Sequence, residues 1–462
     1  MSSQKRSREA GPGWPSFPAK PTLPGLLAGL KVSQWWPASD LAAGQCAQLA
    51  WLVNWAATHV PYYEGTDWAR PAARSLSAAL ARDPARFPDL WRELPLLTKP
   101  GVRALGARLN ARTVPPDQAP LGLIRTSGST GIPVEVRSTA TTRMLWDALT
   151  VREHLWWRRD FTKRMGAIRF RKHEQRDEDG QVRPGWGPPV ALLYRSGPSS
   201  AMHIGRSMEE LADWLVRFDP SYLLAYPSIM DALMDAVAAR GGRPPSLEEV
   251  RLISEPLDPE LQARLATEWQ VRCTDLYSAN EVGYIAFRCR EQGALHVQSE
   301  SLLVEVLDDA GQPCAPGETG RVVVTSLHNL ATPLLRYEIG DYAEVGAPCK
   351  CGRGLPVLAR VMGRVRNLVR TPDGRSWWPV ALGRIRGVTP IIQAQFVQTA
   401  LDTVELRAVC SRELRPEEVE DAVTRTRQAL GYPFEVSIVQ LDSIPRGPTG
   451  KYEEFLSLID TP

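Results

Sequence analysis

The sequence predicts an α/β protein with a large N-terminal domain of mixed sheets and helices and a small α+β C-terminal domain. Residues 120–300 alternate short apolar runs, typical of strands, with amphipathic helical runs. From about residue 365 the order becomes strand, strand, helix, strand, which is enough for a separate domain of roughly 100 residues. We therefore predict a disordered tail over 1–20, a large domain over 21–363 and a small domain over 364–462.

Individual elements follow from local patterns. Residues 40–110 carry long apolar helical runs, one of which should end at the proline of HVPYY. Ser207 and Glu210 have the spacing of a capping box before an apolar face of period 3.6, and Asp258 is placed to begin another helix. The runs LLVEVLDD and RVVVTSL are typical of strands, and the segment between them is rich in turn-forming residues.

Composition excludes several classes of protein. The 462 residues contain 55 Lys and Arg against 52 Asp and Glu, a balance that argues against a nucleic-acid surface. The sequence contains no run of ~18 apolar residues, so it predicts no membrane span. The polar N-terminus is unlike a secretory signal. Seven cysteines do not form the dense framework of a small secreted domain. We expect a cytoplasmic protein that binds neither membrane nor nucleic acid.

The strongest local motif follows the apolar run LGLI. Small hydroxyl residues and glycines let backbone N–H groups surround a phosphate, and the hydroxyls add hydrogen bonds. The same composition also occurs in a flexible Ser/Gly linker, so both interpretations stay open. The candidate phosphate-binding residues are Thr126, Ser127, Gly128, Ser129, Thr130 and Gly131.

Three later segments carry residue types suited to a nucleotide. Tyr277 and Glu281 follow a strand-like run and suit adenine contact and magnesium binding, although a strand end with a surface acid has the same pattern. Asp341 follows a glycine and could contact ribose hydroxyls. Lys451 lies on a Gly/Pro loop, where it could neutralise charge at a phosphate or simply be solvated.

In this order, these motifs resemble the adenylate-forming superfamily, and within it the phenylacetate–coenzyme A ligase branch. The resemblance covers nearly the whole chain. Its segments include HVPYYEG, LPLLTKPGVRA, TSGSTG, YSANE, LHVQSESLLVEVLDDAG, PLLRYEIGD, CKCGRGLP and GRVRN.

The resemblance implies a role for each matched residue. Thr126 to Gly131 would hold the phosphates of ATP, Tyr277 with Ser278 would bind the adenine side, and Glu281 would ligate Mg²⁺. Asp341 and Arg364 would hold the ribose, and Lys451 would stabilise the transition state of adenylation. Arg366 would be the hinge about which the small, mobile domain rotates, although the branch often has two aspartates where this chain has Arg366-Asn367. The branch is often dimeric, which implies a homodimer.

Cysteine and histidine residues form a candidate zinc site. Cys289, His296, Cys349 and Cys351 match the Cys₃His set of a structural site, although the Cys-x₆-His spacing is unlike a standard finger. Buried free cysteines are the alternative. Zinc here would join two loops and leave no open position for catalysis.

The acyl pocket is expected between the phosphate-binding segment and Tyr277. Candidate contacts are His203, Tyr226, Ser254 and Glu255, each of which could equally serve packing. The Arg-rich stretch 151–183 differs from the Gly- and aromatic-rich segment of phenylacetate ligases. Its arginines could bind phosphates or a second carboxylate, or form a solvated charged loop.

The sequence therefore predicts an acid–thiol ligase. An aromatic or heteroaromatic carboxylic acid would react with ATP to give an acyl-adenylate, and a thiol, that of coenzyme A or a carrier, would take the acyl group. One alternative passes the adenylate to an amine or a carrier protein. Another is an inactive nucleotide-binding scaffold, against which the joint presence of Glu281, Asp341 and Lys451 argues.

Overall fold

Two compact units make up the computed structural model. Unit 1 comprises Met1–Arg159, Pro188–Leu193 and Leu276–Val361, and unit 2 comprises Asp160–Gly187, Tyr194–Asp275 and Met362–Pro462. The structure describes residues 21–125, 133–170, 178–379, 382, 385, 390–446 and 452–459. The predicted tail over 1–20 lies outside these residues, and the predicted domain boundary at 363/364 remains a prediction.

The N-terminal part of unit 1 is helical, which confirms the interpretation of residues 40–110. The second helix ends at His59 because Pro61 follows, and a residue that precedes proline avoids the helical conformation. Val60 accordingly has extended backbone angles. The elements are α1 Leu23–Ser33, α2 Ala38–His59, α3 Pro61–Glu64, α4 Ala69–Arg82, α5 Phe87–Arg92, β1 Leu97–Thr98 and α6 Lys99–Leu105.

A hairpin and a long helix complete the first segment of unit 1. Strands β2 (Gly122–Arg125) and β3 (Glu135–Ser138) pair antiparallel, and α7 (Ala140–Trp156) follows at once. Thr139 and Thr142 form a capping box at the start of α7. At its end, Trp156 Nε1 donates to Gln34 Oε1 of the segment after α1 at 2.6 Å. This contact joins the α7 end to the N-terminal helices.

Unit 2 contains a mainly parallel sheet with helices between its strands. The strand order is β9–β8–β7–β4–β6–β5, and every pairing except that of β5 with β6 is parallel. Alternating strands and helices produce this arrangement, as the sequence predicts. The elements are β4 Met165–Arg169, β5 Val182–Arg183, β6 Ser199–His203, α8 Met208–Phe218, β7 Tyr222–Ala225, α9 Pro227–Ala238, β8 Glu249–Leu252, α10 Pro259–Arg264 and β9 Arg272–Ala279.

Both predicted helix starts in unit 2 are confirmed. Ser207 Oγ accepts from Glu210 N at 3.2 Å, and Glu210 Oε2 accepts from Ser207 N at 2.9 Å. Asp258 caps α10 by accepting from Glu260 N. The run DPELQARLATEW remains helical throughout, but its second half, Leu265–Trp269, is a π-helical turn.

The later strands of unit 1 form a largely antiparallel sheet. Its order is β12–β13–β14–β15–β11–β10–β9, with residues from Leu276 onward contributed by β9, and β1 pairs parallel to β14. The predicted strand pair is β12 and β13, which are antiparallel with Leu302 opposite Ser326. The strands are β10 Gly283–Arg288, β11 Leu295–Val297, β12 Leu302–Leu307, β13 Thr319–Ser326, β14 Tyr337–Val345 and β15 Val357–Arg364.

The C-terminal segment of unit 2 has the predicted strand, strand, helix, strand order. A buried cluster that includes Phe396, Leu406, Leu430 and Phe434 packs the helix on its sheet. The sheet has the order β20–β19–β18–β21, whose fourth strand was not predicted because it has only three residues. The elements are β16 Val369–Arg370, β17 Ser376–Trp377, β18 Ile391–Ala400, β19 Thr403–Cys410, α11 Pro416–Leu430, β20 Glu435–Gln440 and β21 Phe455–Ser457.

Membrane crossing finds no support among the described residues. None of their helices combines the length and the hydropathy needed to traverse a bilayer.

Candidate active site

The candidate phosphate-binding segment begins where β2 ends. Thr126–Gly131 and Lys451 lie outside the described residues, so their predicted roles remain predictions. The flanking residues are described: Arg125 is opposite Glu135 in the β2–β3 ladder, and Arg125 Nε is 2.6 Å from Glu135 Oε1. The expectation that this segment follows a strand is thus confirmed.

Tyr277 and Asp341 come from separate motifs and contact each other in unit 1. Tyr277 lies in β9 and is 9% exposed, and its hydroxyl donates to Asp341 Oδ2 in β14 at 2.7 Å. Gly340, immediately before Asp341, has a φ of +81°, a conformation that favours glycine. This positive φ explains why a glycine precedes Asp341. Ser278, the next residue in β9, is half-buried.

Glu281 lies in the turn between β9 and β10 with little exposure. The residue is 6% exposed, and its Oε1 accepts from the Tyr337 hydroxyl at 3.2 Å. Burial first, and then the Glu281 charge, raise the pKa of Tyr337, so the phenol stays protonated and donates. Tyr337 and Asp341 belong to the same strand, so β14 supplies one carboxylate assigned to the nucleotide and the hydroxyl that binds the other.

A cleft of about 210 Å³ in unit 1 opens beside Glu281. It also reaches Ile124, one residue before the end of β2, so the cleft adjoins the strand that leads into the phosphate-binding segment. The lining residues come from β2, β3, α7, the β9–β10 turn, the start of β10, the end of β13 and the loop that follows β13. They are Ile124, Ser138, Thr142, Arg143, Trp146, Asn280, Glu281, Val282, Gly283, Ser326 and Asn329.

Sequence reasoning missed the contribution of α7 to this cleft. Thr142, Arg143 and Trp146 all line it, and the Trp146 ring stacks on Tyr284 with centroids 4.3 Å apart. Arg143 Nη1 also donates to Ser138 Oγ at 3.3 Å. The spacing of these residues, i, i+1 and i+4 in a helix that follows the candidate phosphate-binding segment, is a signal that could have revealed them.

His203 and Tyr226, predicted as substrate contacts, are buried in unit 2. His203 is 6% exposed, and its Nδ1 accepts from Gly205 N at 2.9 Å. The Tyr226 hydroxyl accepts from Phe170 N at 3.3 Å, and burial raises the pKa of Tyr226. Each of these polar groups already has a protein partner, as expected if the residues serve packing. Their role as substrate contacts stays a prediction.

Ser254 and Glu255, the other two predicted substrate contacts, also belong to unit 2. Ser254 is exposed and has a φ of +71°, a backbone conformation that non-glycine residues seldom adopt. The Glu255 side chain is only 5% exposed. Its carboxylate lies among protein donors rather than at the surface.

Arg364 and Arg366 share one acidic partner in unit 2. Arg364 ends β15 and its Nη1 is 4.0 Å from Glu453 Oε1, while Arg366 Nη2 contacts the same oxygen more closely. The Arg364 carbonyl accepts from Trp378 Nε1 at 3.1 Å. The assignments of Arg364 to the ribose and of Arg366 to the hinge remain predictions.

The four candidate zinc ligands converge in unit 1. Ligand atoms of Cys289, His296, Cys349 and Cys351 all lie within 4.8 Å of one another. Cys351 Sγ is 3.3 Å from His296 Nε2, and Cys349 Sγ is 3.9 Å from Cys289 Sγ. Loops far apart in the sequence therefore bring the set together.

The protonation of this cluster is shaped by burial. Burial lowers the pKa of His296 to about 4, which keeps its imidazole neutral, and raises the pKa of Cys289 to about 12. Burial also acts to raise the pKa of Cys351, but hydrogen bonds from the Arg353 backbone and side chain outweigh it and lower that pKa. Arg353 in turn lies over the Trp156 ring, 4.3 Å from its centroid.

Solved structures share this fold. A 2-hydroxyisobutyryl-CoA ligase in the postadenylation state, in complex with an acyl-AMP, superposes with a TM-score of 0.68 and 18% identity over 92% of this chain and 91% of that one. The chain thus has the fold of this ligase, as the resemblance predicts.

Sequence relatives lie in the predicted branch. The phenylacetate–coenzyme A ligase of Thermus thermophilus is 25% identical over 52% of this chain, and the match spans 61% of the length of that ligase. The phenylacetate–coenzyme A ligase of Aromatoleum evansii is 24% identical over 76% of each chain. No protein-family model matches the sequence.

Proposed function

We propose that this protein activates a carboxylic acid with ATP and transfers the acyl group to a thiol, with coenzyme A as the thiol. The observation that carries the proposal is the contact of Tyr277 with Asp341 beside the Glu281–Tyr337 pair. Residues assigned to adenine, ribose and magnesium from separate motifs meet in one unit. One of them, Glu281, also lines a cleft that adjoins the strand before the phosphate-binding segment. The phenylacetate–coenzyme A ligases among the sequence relatives support the same reaction.

The first step is an adenylyl transfer. A carboxylate oxygen of the acid attacks the α-phosphorus of ATP, the bond to the β-phosphate oxygen breaks, and pyrophosphate leaves. The protein has to align the two reactants and offset charge at the phosphorus, which is the role proposed for Lys451. Glu281, a nearly buried carboxylate, has the oxygen donor that Mg²⁺ prefers, and the ion would offset phosphate charge when bound.

The second step transfers the acyl group. The thiol sulfur attacks the acyl carbon of the adenylate, the bond to the phosphate oxygen breaks, and AMP leaves while the thiol proton passes to solvent. AMP is a far better leaving group than hydroxide, so the second step needs little further activation. We also propose that residues 364–462 form a domain that rotates near Arg366 between the two steps.

An aromatic acid is the substrate class that we propose. The named relatives act on phenylacetate, and the stacked Trp146 and Tyr284 rings beside the cleft could contact an aromatic group. The cleft volume, about 210 Å³, is compatible with an acid of one ring.

A structural zinc ion is proposed for the Cys289, His296, Cys349 and Cys351 cluster. Tetrahedral zinc with Zn–S bonds of about 2.3 Å separates its sulfur ligands by about 3.8 Å, close to the 3.9 Å between Cys349 and Cys289. His296 Nδ1 faces the Leu355 carbonyl oxygen at 3.4 Å, which leaves Nε2 for a metal, as is usual for metal-bound histidine. With four protein ligands, the ion would stabilise loops rather than take part in the reaction.

The test of the function is ATP–pyrophosphate exchange with a panel of aromatic, heteroaromatic and aliphatic acids, with and without coenzyme A. We expect acid-dependent exchange with an aromatic member, and formation of its thioester when coenzyme A is added. Exchange without a thioester would instead favour transfer to an amine or a carrier protein. Absence of exchange with every acid, in protein that still binds ATP, would indicate an inactive scaffold.

A further inference from the structure

Both oxygens of the Glu255 carboxylate are engaged inside unit 2. Oε2 accepts from Ser228 N at 2.9 Å, and Oε1 accepts from Tyr452 N at 2.8 Å. Arg446 Nη1 lies 3.6 Å from the same Oε1. Each oxygen of this carboxylate therefore already has a protein donor. These four residues, Ser228, Glu255, Arg446 and Tyr452, are named the Glu255 clamp.

One side of the clamp is a helix end. Ser228 is the second residue of α9, whose first N–H groups lack partners within the helix and carry partial positive charge. Glu255 therefore meets a donor set that stabilises its negative charge. The Ser228 side chain adds a further contact, because its Oγ accepts from Arg446 Nη1 at 2.9 Å.

The other side of the clamp is the C-terminal segment of the chain. Arg446 and Tyr452 are the described residues on either side of Gly447–Lys451. Glu255 contacts both of them, although it lies 197 residues before Tyr452. The Arg446 guanidinium also lies over the Tyr452 ring, 5.4 Å from its centroid. Both ends of the segment that contains Lys451 are thus attached to one carboxylate.

Burial of Glu255 and Arg446 disfavours their charged forms. It raises the pKa of Glu255 and lowers that of Arg446, because each charge loses solvent on entering the interior. Buried ion pairs of this kind are often no more stabilising than apolar residues of the same volume. Their better-attested use is to specify one arrangement of the chain.

We propose that Glu255 is a positioning residue for adenylation, which acts by holding both ends of the segment that contains Lys451. The proposal rests on the proposed function for the role of Lys451 itself. Because Lys451 is bonded directly to Tyr452, a shift of the Tyr452 backbone moves the origin of the lysine side chain. A misplacement of ~1 Å at a reacting centre can cost about 100-fold in rate.

The first test is Glu255→Gln, scored separately in two partial reactions with the acid that the panel identifies. Glutamine has one acceptor oxygen in place of two, and its NH₂ group only donates. One of the two backbone N–H groups, that of Ser228 or that of Tyr452, therefore loses its acceptor and one end of the clamp is released. We expect pyrophosphate exchange to fall by about 10- to 100-fold. Thioester formation from chemically made acyl-adenylate and coenzyme A should stay near the original rate. An equal loss in both reactions would mean a general structural defect and would overturn the proposal.

The second test is a double-variant cycle with Lys451→Ala. If Glu255 acts through Lys451, the double variant should exchange pyrophosphate no more slowly than Lys451→Ala alone. Independent, multiplying losses would contradict this. Should Glu255→Gln fold poorly, Arg446→Gln provides a second variant. The Arg446 side chain is 20% exposed, so its substitution should destabilise the fold less. We expect the same split between the partial reactions.

The third test needs no enzymatic activity, so it separates failure of the clamp from failure of the proposed function. Limited trypsin digestion with mass spectrometry follows cleavage of the Lys451–Tyr452 bond. Loss of one hydrogen bond to a charged group should speed this cleavage by about tenfold or more in Glu255→Gln. Unchanged cleavage would overturn the proposal even if the exchange results agreed.

A matched control is Glu418→Gln. Glu418 is also a carboxylate bound by arginines, Arg412 and Arg415, and it too lies in the last hundred residues of the chain. It has no contact with Arg446 or Tyr452 among the described bonds of the carboxylate. We expect neither the split between partial reactions nor faster cleavage after Lys451 in this variant.

Discussion

Tyr277 and Glu281 show how single side chains organise the candidate site. The Tyr277 hydroxyl donates to Asp341, and Glu281 accepts from Tyr337, so each acid is oriented by a tyrosine. A hydrogen bond to a charged group contributes about 1.5–3 kcal/mol. In the proposed function, such contacts would orient both carboxylates before the nucleotide binds and so lower the cost of ordering them. The proposal assigns the charge compensation to Lys451.

Lys451→Ala tests that assignment. We expect pyrophosphate exchange to fall by about 100- to 1000-fold, the usual cost of removing one preorganised group that stabilises transition-state charge. ATP affinity, measured by calorimetry, should change little, because the lysine acts mainly in the transition state. Lys31→Ala, at the exposed end of α1, is the control and should exchange normally. Normal exchange in Lys451→Ala would remove the lysine from the mechanism.

At the scale of elements, two loops and one strand carry the metal cluster. Cys289 follows β10, His296 lies in β11, and Cys349 and Cys351 lie in the loop after β14. Strand pairing places β11 beside β15, with His296 opposite Val357, and so brings the two loops together. A metal at this point would link the β10–β11 hairpin to the loop between β14 and β15. The metal would stabilise two irregular segments that strand pairing alone does not hold in place.

Metal analysis tests the cluster. We expect about one zinc ion per chain by elemental analysis of protein prepared without chelators, and a lower melting temperature after chelation. Cys351→Ser should lose the metal. Cys410→Ser, a half-buried cysteine of β19 outside the cluster, should retain it. Absence of metal from the unaltered protein would leave buried free cysteines as the explanation.

At the scale of the whole molecule, the proposed function requires one chain to carry out two chemical steps. In unit 2, Arg366 pairs with Glu453 and Asn367 Nδ2 donates to the Phe455 carbonyl. These contacts attach the proposed hinge to the strand that follows Lys451. In the same unit, the Glu255 clamp holds Tyr452. A rotation of residues 364–462 at Arg366 would keep the Arg366 and Asn367 contacts but would have to release that of Tyr452 with Glu255.

Arg366→Ala tests the hinge. The two side chains of its ion pair are 26% and 28% exposed, so the pair is worth roughly 0.5–1 kcal/mol after solvent screening. We expect adenylation to slow by about two- to fivefold, since the population shifts away from the arrangement that the pair stabilises. Thiol transfer from preformed acyl-adenylate should not slow.

Arg360→Ala is the control for this variant. Arg360 Nε is 2.7 Å from Glu344 Oε2, and the Arg360 side chain is 61% exposed. We expect both partial reactions to keep their rates. An equal loss of the two reactions in Arg366→Ala would show that Arg366 supports the fold rather than the rotation.

The sequence by itself determined the fold class, the order of elements and the chemistry of the candidate residues. These follow from short-range rules: the Ser207–Glu210 capping box, the proline after α2 and the strand order of the C-terminal segment all depend on neighbours a few residues apart. The match of ordered motifs added the resemblance to the adenylate-forming superfamily, because the order of chemically distinct segments is a property of the chain.

Only the tertiary structure decided which distant residues meet. The Tyr277–Asp341 contact spans 64 residues and the Glu255–Tyr452 contact spans 197. Glu255 was expected to face a substrate, and the contribution of Trp146 to the cleft was missed. Sheet pairing and packing bring such residues together, and neither periodicity nor motif spacing contains the register of strands far apart in the chain. A local pattern can therefore name a carboxylate, but the folded chain selects its partner.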